Sequence, residues 1–126
     1  MKILECEICK ALTFVLNDSG VVAVCCAEPM KELLAKEQEE NHEKHLPVIT
    51  IEGKVAKVAV GEVLHPMQEE HFIAWIGLEQ GNKTQFVRLA PGQEPKANFN
   101  VELGQGAIVV YEHCNVHGLW KAQINL

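Results

Sequence analysis

The placement of cysteine constrains this chain more than any other feature of its sequence. Four of the five cysteines lie in the first 26 residues, and the fifth, Cys114, stands alone near the other end. The opening residues, MKILECEICK, lack the apolar segment and small-residue cleavage site of a secretory signal. We therefore expect a reducing, cytoplasmic location, where disulfides are disfavoured and clustered thiols are available to bind a metal.

Length and charge narrow the class of protein. A chain of 126 residues matches one ordinary domain, or a small domain joined to a module too short to bury its own core. The net charge of −6 provides no basic face for nucleic acid. No apolar run approaches the ~20 residues that a membrane span requires. We predict a soluble protein that binds neither nucleic acid nor membrane.

The first 36 residues carry the four clustered cysteines around short apolar segments. Thr13–Leu16 and Val21–Val24 flank an Asn-Asp-Ser-Gly turn, a pattern that predicts a small β-hairpin. So small a module needs a staple to offset chain entropy. Four thiolates favour iron or zinc in tetrahedral geometry, and their spacing leaves both metals open. The four predicted ligands are Cys6, Cys9, Cys25 and Cys26.

The composition changes after residue 30. Lys31–Lys44 is polar and rich in charge, which predicts a short surface helix running into a linker. We place the boundary between two domains, 1–36 and 37–126, in this stretch. The second domain contains seven short β-rich runs separated by turns such as Gly81-Asn82, which predicts an all-β, immunoglobulin-like antiparallel sandwich. The runs are Val48–Ile51, Val55–Val63, Phe72–Leu78, Gln85–Leu89, Asn98–Val101, Ile108–Tyr111 and Leu119–Ile124.

Four histidines and the solitary cysteine of the second domain all fall at predicted strand ends or turns, where functional residues concentrate. Imidazoles with one thiolate favour a redox or Lewis-acid metal site over a structural one, and leave the metal open. Five protein ligands leave a sixth position free for a small substrate. The five candidates are His45, His65, His71, Cys114 and His117.

Two groups of motifs resemble a known family. Residues 24–30, VCCAEPM, resemble the adjacent-cysteine segment of desulforedoxin and of the desulfoferrodoxin N-terminal domain. Residues 43–48, EKHLPV, together with residues 65–67, HPM, and residues 114–121, CNVHGLWK, resemble the catalytic domain of superoxide reductases. The resemblance covers nearly the whole chain and favours the two-iron form, desulfoferrodoxin. It implies two iron ions per chain, one in an Fe(Cys)4 centre and one in an Fe(His)4Cys centre.

The resemblance also implies a role for each residue of the second site. The four histidines would form an equatorial plane around iron, and Cys114 would be the axial ligand opposite the bound superoxide. Glu43 would close the sixth position of oxidised iron. Lys44 would approach the substrate, and on a chain of net charge −6 it would supply the positive charge that draws in an anion.

The implied function is a superoxide reductase that forms hydrogen peroxide without dioxygen, is re-reduced by rubredoxin or a similar carrier, and assembles as a homodimer. Two alternatives stay open at this point. Both sites could hold structural zinc beneath a partner-binding surface, or the first centre could act as an electron relay beside an inert second site.

Several residues depart from the family pattern or match no ligand in it. Lys10 stands where glycine is common, and His113 stands where tyrosine is frequent. We interpret His42 and His113 as structural residues or neighbours of the site. Trp75 and Trp120 are predicted to lie in the sandwich core, where Trp120 could also shield the site from water.

Overall fold

The computed structural model describes residues 1–38 and 44–126. The chain divides into two compact units, Met1–Leu34 and Ala35–Leu126. The described residues form strands, turns and irregular segments, without a helix among them, so the all-β prediction is confirmed. No described segment forms a helix long and apolar enough to cross a bilayer.

The first unit is built from five short strands. In chain order they are β1 Ile3–Glu5, β2 Leu12–Phe14, β3 Val24–Cys25, β4 Glu28–Pro29 and β5 Lys31–Glu32. Strand β1 lies between β2 and β5, antiparallel to both, and β3 pairs with β4. Leu4, Cys6 and Met30 are its buried cluster. A unit with so little buried apolar surface is expected to need a staple, and its four cysteines are the candidates for one.

The hairpin predicted between Thr13–Leu16 and Val21–Val24 is wrong. Strand β2 pairs with β1, and β3 pairs with β4. Pairing with β1 places β2 beside the buried Leu4, whereas Leu16 and Val21 remain 89% and 81% exposed. The turn itself forms, and the carboxylate of Asp18 accepts the N–H of Gly20 at 2.9 Å.

The helix predicted from Lys31 is also wrong over the described residues 31–38; residues 39–43 lie outside the description. Lys31 and Glu32 form β5. Further along, the N–H of Lys36 donates to Leu119 O, and Lys36 O accepts from the N–H of Lys121, both at 2.9 Å. Because neighbouring strands satisfy the backbone of this segment, a polar helix has no advantage there.

The second unit contains all seven predicted strands in two antiparallel sheets. They are β6 Pro47–Glu52, β7 Val55–Val60, β8 Ile73–Gln80, β9 Lys83–Arg88, β10 Lys96–Asn100, β11 Ala107–Cys114 and β12 Gly118–Asn125. One sheet has the order β10-β7-β6, and the other has the order β12-β11-β8-β9. The Gly81-Asn82 turn joins β8 to β9 as predicted, with Gly81 at φ 58°.

The core of the second unit consists of alternate residues from both sheets. On β11, Ile108, Val110 and Cys114 belong to this core. The register between β11 and β8 shifts between His113 and Cys114, a β-bulge at the strand end that carries the cysteine. Side chains on strands alternate between faces, so the core fixes the direction in which Cys114 points.

Trp75 does not lie in this core, so that prediction is wrong. It is half-buried, and its ring stacks on His113, its partner across the β8–β11 ladder, with 6.2 Å between ring centroids. Trp75 also meets Phe86 edge-on at 5.5 Å. These aromatic rings cover the face of the four-stranded sheet that the apolar core leaves open. Trp120 is buried as predicted.

Gly61 positions the chain just before β6. It adopts φ +83°, and its N–H donates to Leu46 O at 3.1 Å. A Cβ placed on Gly61 would lie 2.5 Å from Val63 O and 2.8 Å from Lys44 O. The backbone around Lys44 and His45 is therefore packed directly against a position that only glycine can occupy.

Gly61→Ala should reduce the free energy of unfolding of the second unit by about 3 kcal/mol, from left-handed strain plus backbone overlap. Gly53→Ala is the matched control, since Gly53 has φ +58° and an added Cβ there would meet no heavy atom within 4 Å; it should cost about 1 kcal/mol. Urea titration followed by tryptophan emission measures this unit, which contains both tryptophans. Equal losses in the two variants would contradict the account.

Candidate metal centres

The first centre brings together the four cysteines of the first unit. Their sulfur atoms all lie within 4.8 Å of one another, although 15 residues separate Cys9 from the next cysteine. Cys6 and Cys9 sit on the turn between β1 and β2, Cys25 ends β3, and Cys26 lies in the β3–β4 turn. Cys6 is buried, whereas Cys9 and Cys26 are exposed.

Left-handed backbone shapes both cysteine-bearing turns. Lys10 adopts φ 66°, the conformation that makes glycine common at this position, and its N–H donates to Cys6 O at 2.9 Å. The departure from glycine therefore leaves the turn intact and costs local strain. Cys26 and Ala27 also have positive φ, at 52° and 62°. Adjacent cysteines facing one point require this distortion of the backbone between them.

The electrostatics of the four thiols favour a bound cation. The backbone N–H of Cys9 contributes most to lowering the pKa of Cys6 to about 7. Hydrogen bonding with Cys9 and then Cys6 raises the pKa of Cys25 to about 12. Four thiols this close cannot all ionise without a positive charge among them. The donor set fits a tetrahedral thiolate-bound metal, and it suits both iron and zinc.

The second centre brings together the five predicted residues of the second unit. Their ligand atoms also lie within 4.8 Å of one another. His45 precedes β6, His65 follows β7, and His71 precedes β8. Cys114 ends β11, and His117 stands directly before β12. Strand ends from both sheets thus converge at one end of the sandwich.

The four imidazole rings are arranged approximately as the corners of a square. Neighbouring ring centroids are 4.6 Å apart for His45–His65, 4.6 Å for His65–His71, 5.1 Å for His71–His117 and 4.7 Å for His117–His45. The diagonal from His45 to His71 measures 6.4 Å, close to the ratio that a square requires. Such an arrangement suits four coplanar nitrogen ligands.

Hydrogen bonds and burial prepare these rings to bind a metal in their neutral form. The Nδ1 of His65 lies 2.7 Å from Pro66 O, a contact that favours the tautomer with its proton on Nδ1. In that tautomer Nε2 is unprotonated, and it lies 3.0 Å from Nε2 of His45. Burial, then neighbouring imidazoles, lowers the pKa of His45 to about 3. Burial likewise lowers the pKa of His65 and His71. His71 Nε2 is buried without a hydrogen-bond partner among the described residues, and a bound cation would coordinate its lone pair.

Cys114 and His117 are held by a tight turn between β11 and β12. The N–H of His117 donates to the sulfur of Cys114 at 3.4 Å, and His117 Nδ1 lies 3.9 Å from the same sulfur. Gly118 completes the turn at φ 86°. Cys114 is fully buried. The N–H of His117 interacts favourably with negative charge on this sulfur, which lies within 4.8 Å of a ligand nitrogen of each of the four histidines.

Asn115 fastens this turn to the segment that carries His71. Its Oδ1 accepts the N–H of Phe72 at 2.9 Å, and its Nδ2 donates to Glu70 O at 3.1 Å. Its backbone N–H also donates to Phe72 O at 3.2 Å. Three hydrogen bonds from one residue therefore set the distance between the His71 segment and the Cys114 turn. Asn115 is not among the residues predicted from the sequence, although a polar amide between two candidate ligands is a usable clue.

The remaining predicted residues lie in different situations. Lys44 is exposed and adopts φ 60° directly before His45, and its charge helps to lower the pKa of His65 after burial has done so. Glu43 and His42 lie outside the described residues.

His113 stacks on Trp75 rather than facing the sulfur, and burial lowers its pKa to about 4. Trp120 stacks on His45 at 4.7 Å and 9°, so it is a wall of the site as well as part of the interior.

Comparisons with known proteins identify the family of the chain. The sequence profile of the family described as Desulfoferrodoxin matches residues 37–123. A desulfoferrodoxin homolog from Archaeoglobus fulgidus is 39% identical over 122 residues, which are 97% of this chain and 96% of that protein. The chain belongs to the desulfoferrodoxin family. The predicted resemblance is therefore confirmed.

Two further relatives extend the match. The desulfoferrodoxin of Desulfarculus baarsii is 40% identical over 123 residues, covering 98% of this chain and 96% of its own. The crystal structure of the superoxide reductase from Treponema pallidum superposes with a TM-score of 0.78 at 26% identity, covering 96% of both chains. Both desulfoferrodoxin-type units of this chain lie within these alignments.

Asn115→Ala should weaken metal binding at the five-residue centre about 10- to 100-fold, because the ligand turn and the His71 segment lose their shared anchor. Chelator competition with the iron-loaded protein measures the loss. The four-cysteine centre serves as an internal reference and should keep its affinity. Asn98→Ala, at an exposed position on β10, is the matched control. Unchanged affinity in Asn115→Ala would contradict the anchoring role.

Proposed function

We propose that this desulfoferrodoxin is a superoxide reductase, adding one electron and two protons to superoxide to form hydrogen peroxide without releasing dioxygen. The observation that carries the proposal is the square of four imidazoles with a buried thiolate at one strand end. A purely structural site would need four ligands and no vacancy. The fifth donor on one side of the square of imidazoles instead leaves the other side for a small substrate.

In this proposal His45, His65, His71, Cys114 and His117 hold one iron ion, which would supply the electron for superoxide. The protein's task is to fix these donors and keep them in the binding-competent form. Pro66 O sets the tautomer of His65, and Trp120 fixes the ring plane of His45. The N–H of His117 keeps negative charge on the sulfur of Cys114.

Lys44 has the clearest role toward the substrate. Its side chain is exposed on a protein of net charge −6, and its positive charge is felt at His65. Local positive charge next to the site raises the encounter rate of an anion. The left-handed backbone of Lys44, packed against Gly61, directs where that charge is presented. Glu43, as the carboxylate that closes the site after turnover, belongs to the same proposal.

The first unit, residues 1–36 in this proposal, holds a second iron as Fe(Cys)4. Zinc is the alternative for the same four thiolates. The centre acts as an electron relay or as a staple for a unit whose buried cluster has three residues. Residues 37–126 form the catalytic unit.

The electron must come from outside the chain, because one iron gives one electron per cycle. Rubredoxin or a similar small carrier is the donor that we propose. We also propose that the chain forms a homodimer and is located in the cytoplasm. A reducing environment there would keep the cysteines among its nine metal ligands from forming disulfides.

Cys114→Ser should abolish superoxide reduction while leaving the sandwich folded, because a neutral hydroxyl replaces the buried anionic donor. Turnover is measured as peroxide formed per superoxide consumed with a chemical reductant, and folding by far-ultraviolet circular dichroism.

The double variant Cys9→Ser/Cys26→Ser is the control for the other centre. It should lose the four-cysteine metal and keep the reaction with superoxide at the second centre. If Cys114→Ser retained turnover, or the double variant lost the direct reaction, the second centre would not be the site of reduction.

A further inference from the structure

Lys36 lies on the outside of the second centre and has no place in the function proposed so far. Its backbone forms a parallel bridge with Trp120, using hydrogen bonds to Leu119 and Lys121. This bridge fixes the Lys36 backbone beside the strand that follows His117. The side chain of an exposed lysine is usually mobile, but here the hydrogen-bonded backbone fixes the position of its Cα.

The ammonium of Lys36 makes two contacts that both lead to the second centre. Its Nζ lies 4.8 Å from the centroid of the Trp120 ring, within the range of a cation–π interaction. The same Nζ donates to the carbonyl oxygen of His117 at 3.3 Å. The indole N–H of Trp120 donates to that oxygen as well, at 3.2 Å. Lysine and indole thus converge on one backbone atom of a candidate ligand.

Trp120 connects this ammonium to a second candidate ligand. The Trp120 and His45 rings are stacked 4.7 Å apart and tilted by only 9°. Lys36, Trp120 and His45 therefore form a cation–indole–imidazole series. Two ring contacts therefore separate the ammonium of Lys36 from the imidazole of a candidate ligand.

A fixed positive charge near a redox metal disfavours the state with the higher positive charge. Losing an electron raises the charge of the iron centre by one, so a nearby ammonium makes the reduced state more favourable. The Lys36 side chain is exposed, so solvent and salt screen this electrostatic effect on the reduction potential. Part of the effect should remain, because the ammonium contacts both His117 O and the Trp120 ring.

We propose that Lys36 is a positioning residue that raises the reduction potential of the iron at the five-residue centre, acting through Trp120 and the His117 carbonyl. The inference rests on the proposed function, since it requires iron at that centre. It adds a residue to the electronic control of the site that supplies no ligand and touches no substrate. It also gives the segment before residue 39 a role beyond linking the two units.

The test is a potentiometric titration of the iron-loaded full chain, following the visible band of the second centre. Lys36→Met keeps an unbranched side chain, one atom shorter than lysine, and removes the charge. It should lower the equilibrium constant for reduction about threefold, which 59 mV per tenfold converts to about 30 mV. Lys36→Arg keeps the charge and the stacking on indole, and should retain the wild-type potential. The shift in Lys36→Met should shrink as ionic strength rises.

Lys54→Met is the matched control, because it changes net charge equally. Lys54 lies in the β6–β7 turn, roughly 17 Å along the strand from the His45 end by strand rise. Its potential should equal that of the wild type. An unchanged potential in Lys36→Met, or an equal shift in Lys54→Met or Lys36→Arg, would overturn the inference.

The same samples separate this inference from the function on which it rests. If the wild-type chain binds iron and reduces superoxide while Lys36→Met shows no shift, the role of Lys36 is overturned and the reductase proposal stands. If the wild-type second centre binds no redox-active iron, both are overturned.

Discussion

The central constraint on the second unit is that five candidate metal ligands, four imidazoles and a thiol, have their ligand atoms within 4.8 Å of one another. Burying imidazoles and a thiol together is unfavourable unless each finds a partner, and like-charged forms repel one another. The fold meets this demand by bringing the ends of strands from both sheets to one place. A bound metal ion would be the shared partner of these side chains, so that metal binding and the local structure would stabilise each other.

Ordinary hydrogen bonds and close packing support these five residues. A proline carbonyl fixes one tautomer, an asparagine joins two ligand segments, and a glycine admits the backbone before His45. The aromatic wall formed by Trp120 carries contacts from Lys36 on the outside to His45 on the inside. Each of these contacts fixes the orientation of a candidate ligand, and both metal affinity and reduction potential depend on that orientation. The first unit applies the same principle with four thiolates and far less core.

Much of this could be predicted from the sequence. Cysteine pairs at short spacing and histidines at strand ends indicate metal sites, and alternation with Gly81-Asn82 predicts strands and a hairpin. What failed depends on tertiary partners. Residues 12–14 pair with β1 instead of residues 21–24, and Lys36 is taken into a strand bridge instead of a helix. Trp75 alternates with the core residues Ile76 and Leu78, so the strand pattern itself places its ring on the other face of the sheet. The role of Asn115 depends on a contact between segments 43 residues apart, which no local pattern contains.

The most direct test of the central claim is the stoichiometry of the reaction. The reduced, iron-loaded chain is mixed anaerobically with a pulse of superoxide, and visible absorption, peroxide and dioxygen are followed together. A reductase forms one peroxide for each superoxide consumed, with no dioxygen, while a thiolate-to-iron band rises. Release of one dioxygen for every two superoxide ions would show dismutation, and an unchanged spectrum with no peroxide would contradict any redox role for the second centre.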